Sequence, residues 1–227
     1  MERRMVLRRA AACLLYAAAA FLMLQMFDLP LPELGPRWRD WVPVAVLTLL
    51  LALLATSLMT SALPDAKERL QAARFCLWML FTAYAALLLY VLFLSRRDDM
   101  LSDWDAYRRY GVNLRPFATV SRYVRALWRG AIPLTALANL LGNLVLFVPM
   151  GVLLPLLFRP MRRLLPFLGV MLALLLAVEA LQLALRCGSC DVDDVILNLA
   201  GALAARLWLR LPPLRRLLDS GGCLPAP

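Results

Sequence analysis

Residues 164–185 read LLPFLGVMLALLLAVEALQLAL, an apolar run holding one ionisable side chain, Glu179, and one amide, Gln182. A hydrocarbon core about 30 Å thick needs roughly 20 apolar residues per helical crossing, so this stretch predicts a membrane-spanning helix. The rest of the chain agrees. Hydrophobic residues make up 63% of its 227 residues and charged ones 18%, a mix with too little polar surface for a soluble domain. Lipid is then the main solvent, and only structures that satisfy their own backbone can cross it. The fold class expected is all-α: a polytopic transmembrane helix bundle.

Comparable runs lie on both sides of the quoted stretch: 10–27, 41–63 and 75–94 before it, 137–158 just ahead of it and 195–209 after it. Together they predict about six spans. The first follows Arg3, Arg4, Arg8 and Arg9, as a secretory signal would. It is long for a signal segment and no small-residue cleavage site precedes Asp28 and Pro30, so it reads as a retained helix. The regions expected are an N-terminal three-helix part (1–95), a polar loop (96–136), a C-terminal part with the last three spans (113–210, overlapping the loop) and a tail (211–227). Within the loop, Ser102 and Asp105 have the spacing of a helix start. From Thr119 to Trp128, Val120, Tyr123, Val124 and Leu127 share one face and Arg122, Arg125 and Arg129 the other, with Gly130 as the stop. This is the pattern of an amphipathic interfacial helix, whose arginines meet anionic membrane lipids.

The net charge of +10 sits in clusters beside apolar runs, where it faces lipid headgroups, so no nucleic-acid partner is expected. Lys67 is the only lysine. With the N-terminus and C-terminus cytoplasmic and the spans alternating, the short outer connections hold only Arg37, Arg39 and Arg186, as the positive-inside rule requires. The long loop, with Arg96, Arg97, Arg108, Arg109, Arg115, Arg122, Arg125 and Arg129, dissents. Absence of histidine removes Ser-His-Asp and Cys-His chemistry and leaves carboxylates, arginines or an oxygen-bound metal.

Polar residues inside the last three spans are the chemical candidates, because hydrocarbon makes each unpaired polar group costly. Asn139 and Asn143 share a face of the fourth predicted helix, Glu179 and Gln182 a face of the fifth, and Asp193, Asp194 and Asn198 open the sixth. For the asparagines, a ligand and a helix-to-helix hydrogen bond are equally good readings. For Glu179 a ligand, ion or proton site is favoured, with Arg186 as its natural partner. Asp191, Asp193 and Asp194 suit a helix N-terminus, where one or two would cap amides. They would also suit a hard cation such as magnesium, but no fixed metal spacing is present and no metal or cofactor is assigned. Cys187 and Cys190 form a C-x-x-C pair that would favour a disulfide only on an oxidising face. Gly142, Gly151 and Gly201 read as close-packing or bending points.

The ordered succession of Asn113-Leu-Arg-Pro-Phe117, Asn139-Leu-Leu-Gly-Asn143 running into Phe147-Val-Pro-Met-Gly151, Glu179-Ala-Leu-Gln182, Arg186, and Asp191-Val-Asp-Asp-Val-Ile-Leu-Asn198 with Gly201 resembles the VanZ-like family over about 113–209. The first two spans are extra relative to the shortest members, and the Cys187–Cys190 turn is outside the pattern. The resemblance implies a bacterial cell-envelope protein, multi-pass in the cytoplasmic (inner) membrane, and a link to resistance against the glycopeptide teicoplanin. The ligand-binding set expected is Asn113, Asn139, Asn143, Glu179, Gln182, Arg186, Asp191, Asp193, Asp194 and Asn198. Its ligand would be a lipid-linked envelope precursor, a glycan or a glycopeptide antibiotic. Two alternatives stand beside binding: an enzyme acting on a lipid-linked phosphate, and a non-catalytic envelope scaffold. A small-solute transporter fits less well, since no inverted repeat or paired broken helices are seen.

Overall fold

The computed structural model describes residues 2–28, 38–63, 65–94, 104–129 and 134–212. They form the helices α1 (Glu2–Asp28), α2 (Trp38–Ser61), α3 (Ala66–Leu89, continued by a π turn over Tyr90–Leu94), α4 (Trp104–Tyr110), α5 (Ala118–Trp128), α6 (Leu134–Leu146), α7 (Val148–Leu157), α8 (Leu164–Leu185) and α9 (Val192–Trp208). Two short strands, β1 (Val112–Asn113) and β2 (Cys190–Asp191), pair in parallel. The described residues are all-α apart from this pair.

Three helical stretches among the described residues are long and apolar enough to cross a membrane: Ala66–Phe93, Leu140–Leu157 and Leu164–Leu185. Leu47–Ser61 in α2 is apolar but shorter. Helices α1, α2 and α9 occupy the places of the other expected spans. The helix expected to run unbroken over 137–158 is instead split at Phe147 into α6 and α7. Pro149 causes the split, because it has no N–H and its ring crowds the preceding turn. Met150 N–H donates to the Phe147 carbonyl at 3.1 Å, and the hydroxyl of Tyr84 on α3 donates to the Leu146 carbonyl, so the break is satisfied from a neighbouring helix.

Direction follows from contacts at the two ends. Gln182 near the end of α8 donates to the carbonyl of Leu92 at the end of the α3 stretch, while Trp78, in the middle of α3, meets the Phe158 ring edge-on at 5.5 Å. Arg206 near the end of α9 reaches the 3₁₀ turn Arg159–Arg162 between α7 and α8. Arg8 of α1 reaches the Ser61 carbonyl at the end of α2. One end of the bundle therefore gathers Arg8, the α2–α3 turn, Arg159, Arg162, Arg163 and Arg206. The other end carries α4, β1, α5 and the α8–α9 turn.

Helix α9 is the spine of the C-terminal half, packing on α6, α7 and α8. Its backbone comes close because two glycines let it. A β-carbon on Gly201 would run into the Leu144 carbonyl of α6, and one on Gly151 of α7 would run into the Ala202 carbonyl of α9. Gly142 has open space around it, so the close-packing expectation holds for two of the three glycines.

Gly201→Ala and Gly151→Ala are each expected to destabilise the protein by about 1–3 kcal/mol, because backbone must shift to admit the methyl group. Gly142→Ala is expected to be neutral or to stabilise by about 0.5–1 kcal/mol, since alanine favours a helix interior. Thermal unfolding of the three variants in detergent checks this; equal losses at 142 and 201 would contradict the packing.

Candidate functional site

Helix α8 ends in a turn whose backbone prepares the site. Arg186 caps the helix in the left-handed conformation, φ 53°, and Cys187 N–H returns to the Gln182 carbonyl at 3.1 Å. Gly188, at φ 72°, reverses the chain. Strand β2 then lies beside β1, with Val112 opposite Cys190 and Asn113 opposite Asp191, and Cys190 N–H donates to the Gly111 carbonyl at 2.8 Å. The loop after α3 is thereby fixed to the α8–α9 turn.

Side chains complete the joint. Asp193 is fully buried, and its carboxylate accepts from the N–H groups of Phe117 at 2.5 Å, Thr119 at 2.8 Å and Val120 at 3.0 Å. These are amides of the first turn of α5, which have no partner within their own helix. A carboxylate from α9 thus caps α5, where the helix dipole also favours negative charge. The price in backbone strain falls on Phe117, held at φ 62°. Asp191 caps its own helix by accepting from Asp193 N–H at 2.9 Å, and also accepts from Asn113 at 2.8 Å and the Thr119 hydroxyl at 2.7 Å. Asn113 in turn accepts from Arg115 N–H at 3.1 Å.

A second layer lies beneath. Glu179 accepts from Asp191 N–H at 2.9 Å, and Gln182 donates to the Leu92 carbonyl at 3.3 Å while its own carbonyl accepts from the Tyr107 hydroxyl at 3.3 Å. Asn143 of α6 donates to the Asp194 carboxylate, and Asn198 donates to the Asp194 carbonyl at 2.8 Å. The side-chain oxygen of Asn198 is buried and has no hydrogen-bond partner. Nine of the ten expected ligand residues are therefore gathered at one end of the bundle. Arg186, expected to pair with Glu179, contributes its backbone as the cap of α8. Asn139 lies in α6, and its side chain is outside the described residues, as are Ser102 and Gly130.

Two residues of the cluster carry no flag in the sequence. Thr119 lies at the junction of Asn113, Asp191 and Asp193, and Tyr107 is fully buried with its hydroxyl on α8. Cys187 and Cys190 are buried and are not joined in a disulfide. Burial, with Glu179 beside it, pushes the Cys190 thiol up to about 11, and burial with the neighbouring thiols and Glu179 pushes Tyr107 up to about 12. Among the described residues, no group of three or more acidic or cysteine side chains is placed to hold a metal ion. The oxygens of Asp191 and Asp193 face donors of the protein itself.

A family model described as VanZ/LLP1 matches residues 81–211. The chain belongs to this family. The matched stretch begins within α3 and runs through α9, so it takes in the whole cluster, and α1 and α2 lie outside it. No curated protein and no solved structure matches the chain. Family membership and the apolar helices make this a membrane protein of the VanZ type.

Asp193→Ala strands three amides and is expected to cost on the order of 3 kcal/mol, at about 1 kcal/mol per amide at the low end. Asp193→Asn, which keeps one acceptor oxygen, should lose less; thermal melts in detergent rank the two. Alkylation of Cys190 should be slow at pH 8 and rise about tenfold per pH unit until near 11, where the thiolate dominates. Mass-spectrometric labelling rates check it, and a rate plateau below pH 9 contradicts it.

Proposed function

We propose that this is a six-span protein of the bacterial cytoplasmic membrane, with both termini in the cytoplasm, that binds a lipid-linked envelope ligand at the outer membrane boundary. The observation that carries it is the capping of α5 by Asp193, which holds an arginine-bearing amphipathic helix against an acidic turn at one end of an apolar bundle. Arg115, Arg122, Arg125 and Arg129 stay exposed on this platform, suited to phosphate or another anionic group. Trp128, 86% exposed, and Val124 offer apolar contact on the same helix, as a membrane-surface helix does. Glu179, Asp194 and Asn198 supply hydrogen-bonding groups behind it. A lipid-linked phosphate, a glycan precursor or a lipophilic glycopeptide fits this mixture of charge and apolar surface, and the last would account for a part in glycopeptide resistance.

The orientation draws support from the arginines that gather at the opposite end, as cytoplasmic ends do. A second reading, a non-catalytic envelope scaffold, is favoured by the internal use of Asp191 and Asp193: residues so engaged act on architecture first.

Single cysteines at Lys67 and Ser189, in a background lacking the native five, test the placement with an impermeant thiol reagent on intact cells. The expected result is labelling at 189 and none at 67; the reverse places the platform in the cytoplasm and ends the envelope-ligand reading. The Arg122→Gln/Arg125→Gln pair, both exposed on α5, is expected to lower binding of a lipid-linked phosphate at least about tenfold in a protein that folds normally. Unchanged binding would leave the scaffold.

A further inference from the structure

An apolar cavity of about 510 Å³ lies between α3, α7 and α8. Every residue lining it is apolar, among them Phe81, Leu89, Met150, Leu154, Val170 and Leu174. Leu89 and Val170 are also exposed on the bundle surface, so the cavity borders the lipid-facing side. Its volume is in the range of ligand sites, and its lining offers no hydrogen bond, which selects a hydrocarbon chain as its content.

The two ends differ in charge. Towards the α8–α9 turn the cavity stops at Leu92 and Val178, below Gln182, whose amide is engaged by Leu92. At the opposite end it stops at Phe158 and Met161, in the turn that carries Arg159, Arg162 and Arg163. Arg159 and Arg163 are exposed there, and no acidic residue occurs between Asp194 and Leu211 or from Met150 to Arg163. Desolvation, with Arg159 beside it, lowers the pKa of Arg162, as burial beside a like charge does.

Arg206 adds an independent sign. It is 3% exposed, its Nη2 donates to the Arg162 carbonyl at 2.5 Å, its Nε to the Met161 carbonyl at 3.5 Å, and its Cζ lies over the Phe167 ring, 5.2 Å from the ring centre. Its Nη1 is buried and has no hydrogen-bond partner. A buried guanidinium lacking a carboxylate leaves positive charge directly behind the cavity's end wall.

We propose that this cavity and the arginine turn form one site for an anionic phospholipid of the adjoining leaflet. One acyl chain fills the cavity, and the headgroup phosphate meets Arg159, Arg162 and Arg163, with Arg206 adding its field from behind. The site lies at the opposite end of the bundle from the α5 platform and does not depend on the function proposed for that platform.

The test uses the purified full chain in detergent, titrated with phosphatidylglycerol, phosphatidylcholine and inorganic phosphate and read by native mass spectrometry. Phosphatidylglycerol is expected to bind at least about tenfold tighter than phosphatidylcholine, since each arginine near a headgroup contributes about 1 kcal/mol. The Arg159→Gln/Arg163→Gln pair, both exposed and outside the core, should cut the preference for phosphatidylglycerol at least about tenfold, leaving only what Arg162 and Arg206 supply. Val170→Trp should weaken phosphatidylglycerol by filling the cavity, and a dihexanoyl analogue, too short to use its depth, should be affected less. Thermal melts confirm that both variants fold. Equal affinity of the two lipids, a preference undiminished by the arginine changes, or full competition by inorganic phosphate would overturn the proposal.

Discussion

Hydrocarbon leaves no water for a stranded amide, and the end of this bundle is built around that constraint. Helix α5 begins with unpaired N–H groups, and the sequence just before it, Asn113-Leu-Arg-Pro-Phe117, has no side chain of its own to take them all. Asp193 does so from α9, 76 residues away from Phe117. Once the carboxylate is engaged, much else is determined. Phe117 must adopt a left-handed backbone, Asn113 must sit beside Asp191, and β1 must pair with β2. The carboxylate in turn is kept buried only because those three amides compensate its lost hydration.

Helix α9 transmits this arrangement along the bundle. At its start Asp191, Asp193 and Asp194 engage β1, α5 and α6; at its middle Gly201 meets α6 and Ala202 meets Gly151 of α7; at its end Arg206 grips the turn between α7 and α8. The break at Phe147 serves the same contact, since α6 and α7 each present a different backbone stretch to α9. Tyr84 then completes the freed carbonyl, which ties α3 to the break. Polar chemistry at one end, backbone contact in the middle and positive charge at the other end are thus carried by a single helix.

Much of this was legible in the sequence because bilayer thickness and the cost of buried polarity act locally. Apolar run length predicted α8 to the residue and the end of α3 at Leu94, though not its start at Ala66, and the alternation of arginine with Val120, Tyr123 and Val124 predicted α5. Polar residues inside apolar runs pointed to Asn143, Glu179, Gln182, Asp193 and Asn198, which the fold brings together. What was not legible depends on distant partners. Thr119 looks like an ordinary helix-start residue until Asp191 arrives, and Tyr107 lies on the short helix α4, whose burial no local pattern records. The β1–β2 pair is too short for a periodic signal. That the Arg186 backbone would cap α8 in the left-handed conformation was not legible either, since the residue after it is Cys187 and no glycine marks the stop. The split at Phe147 was signalled by Pro149 but outweighed by run length.

The central claim is that the Asp193 carboxylate holds the first turn of α5 on the bundle. Amide hydrogen exchange of the intact protein in lipid nanodiscs measures it at the three donors. The N–H groups of Phe117, Thr119 and Val120 are predicted to exchange as slowly as amides in the middle of α8. Exchange at the rate of an open loop, with α8 protected, would contradict the account.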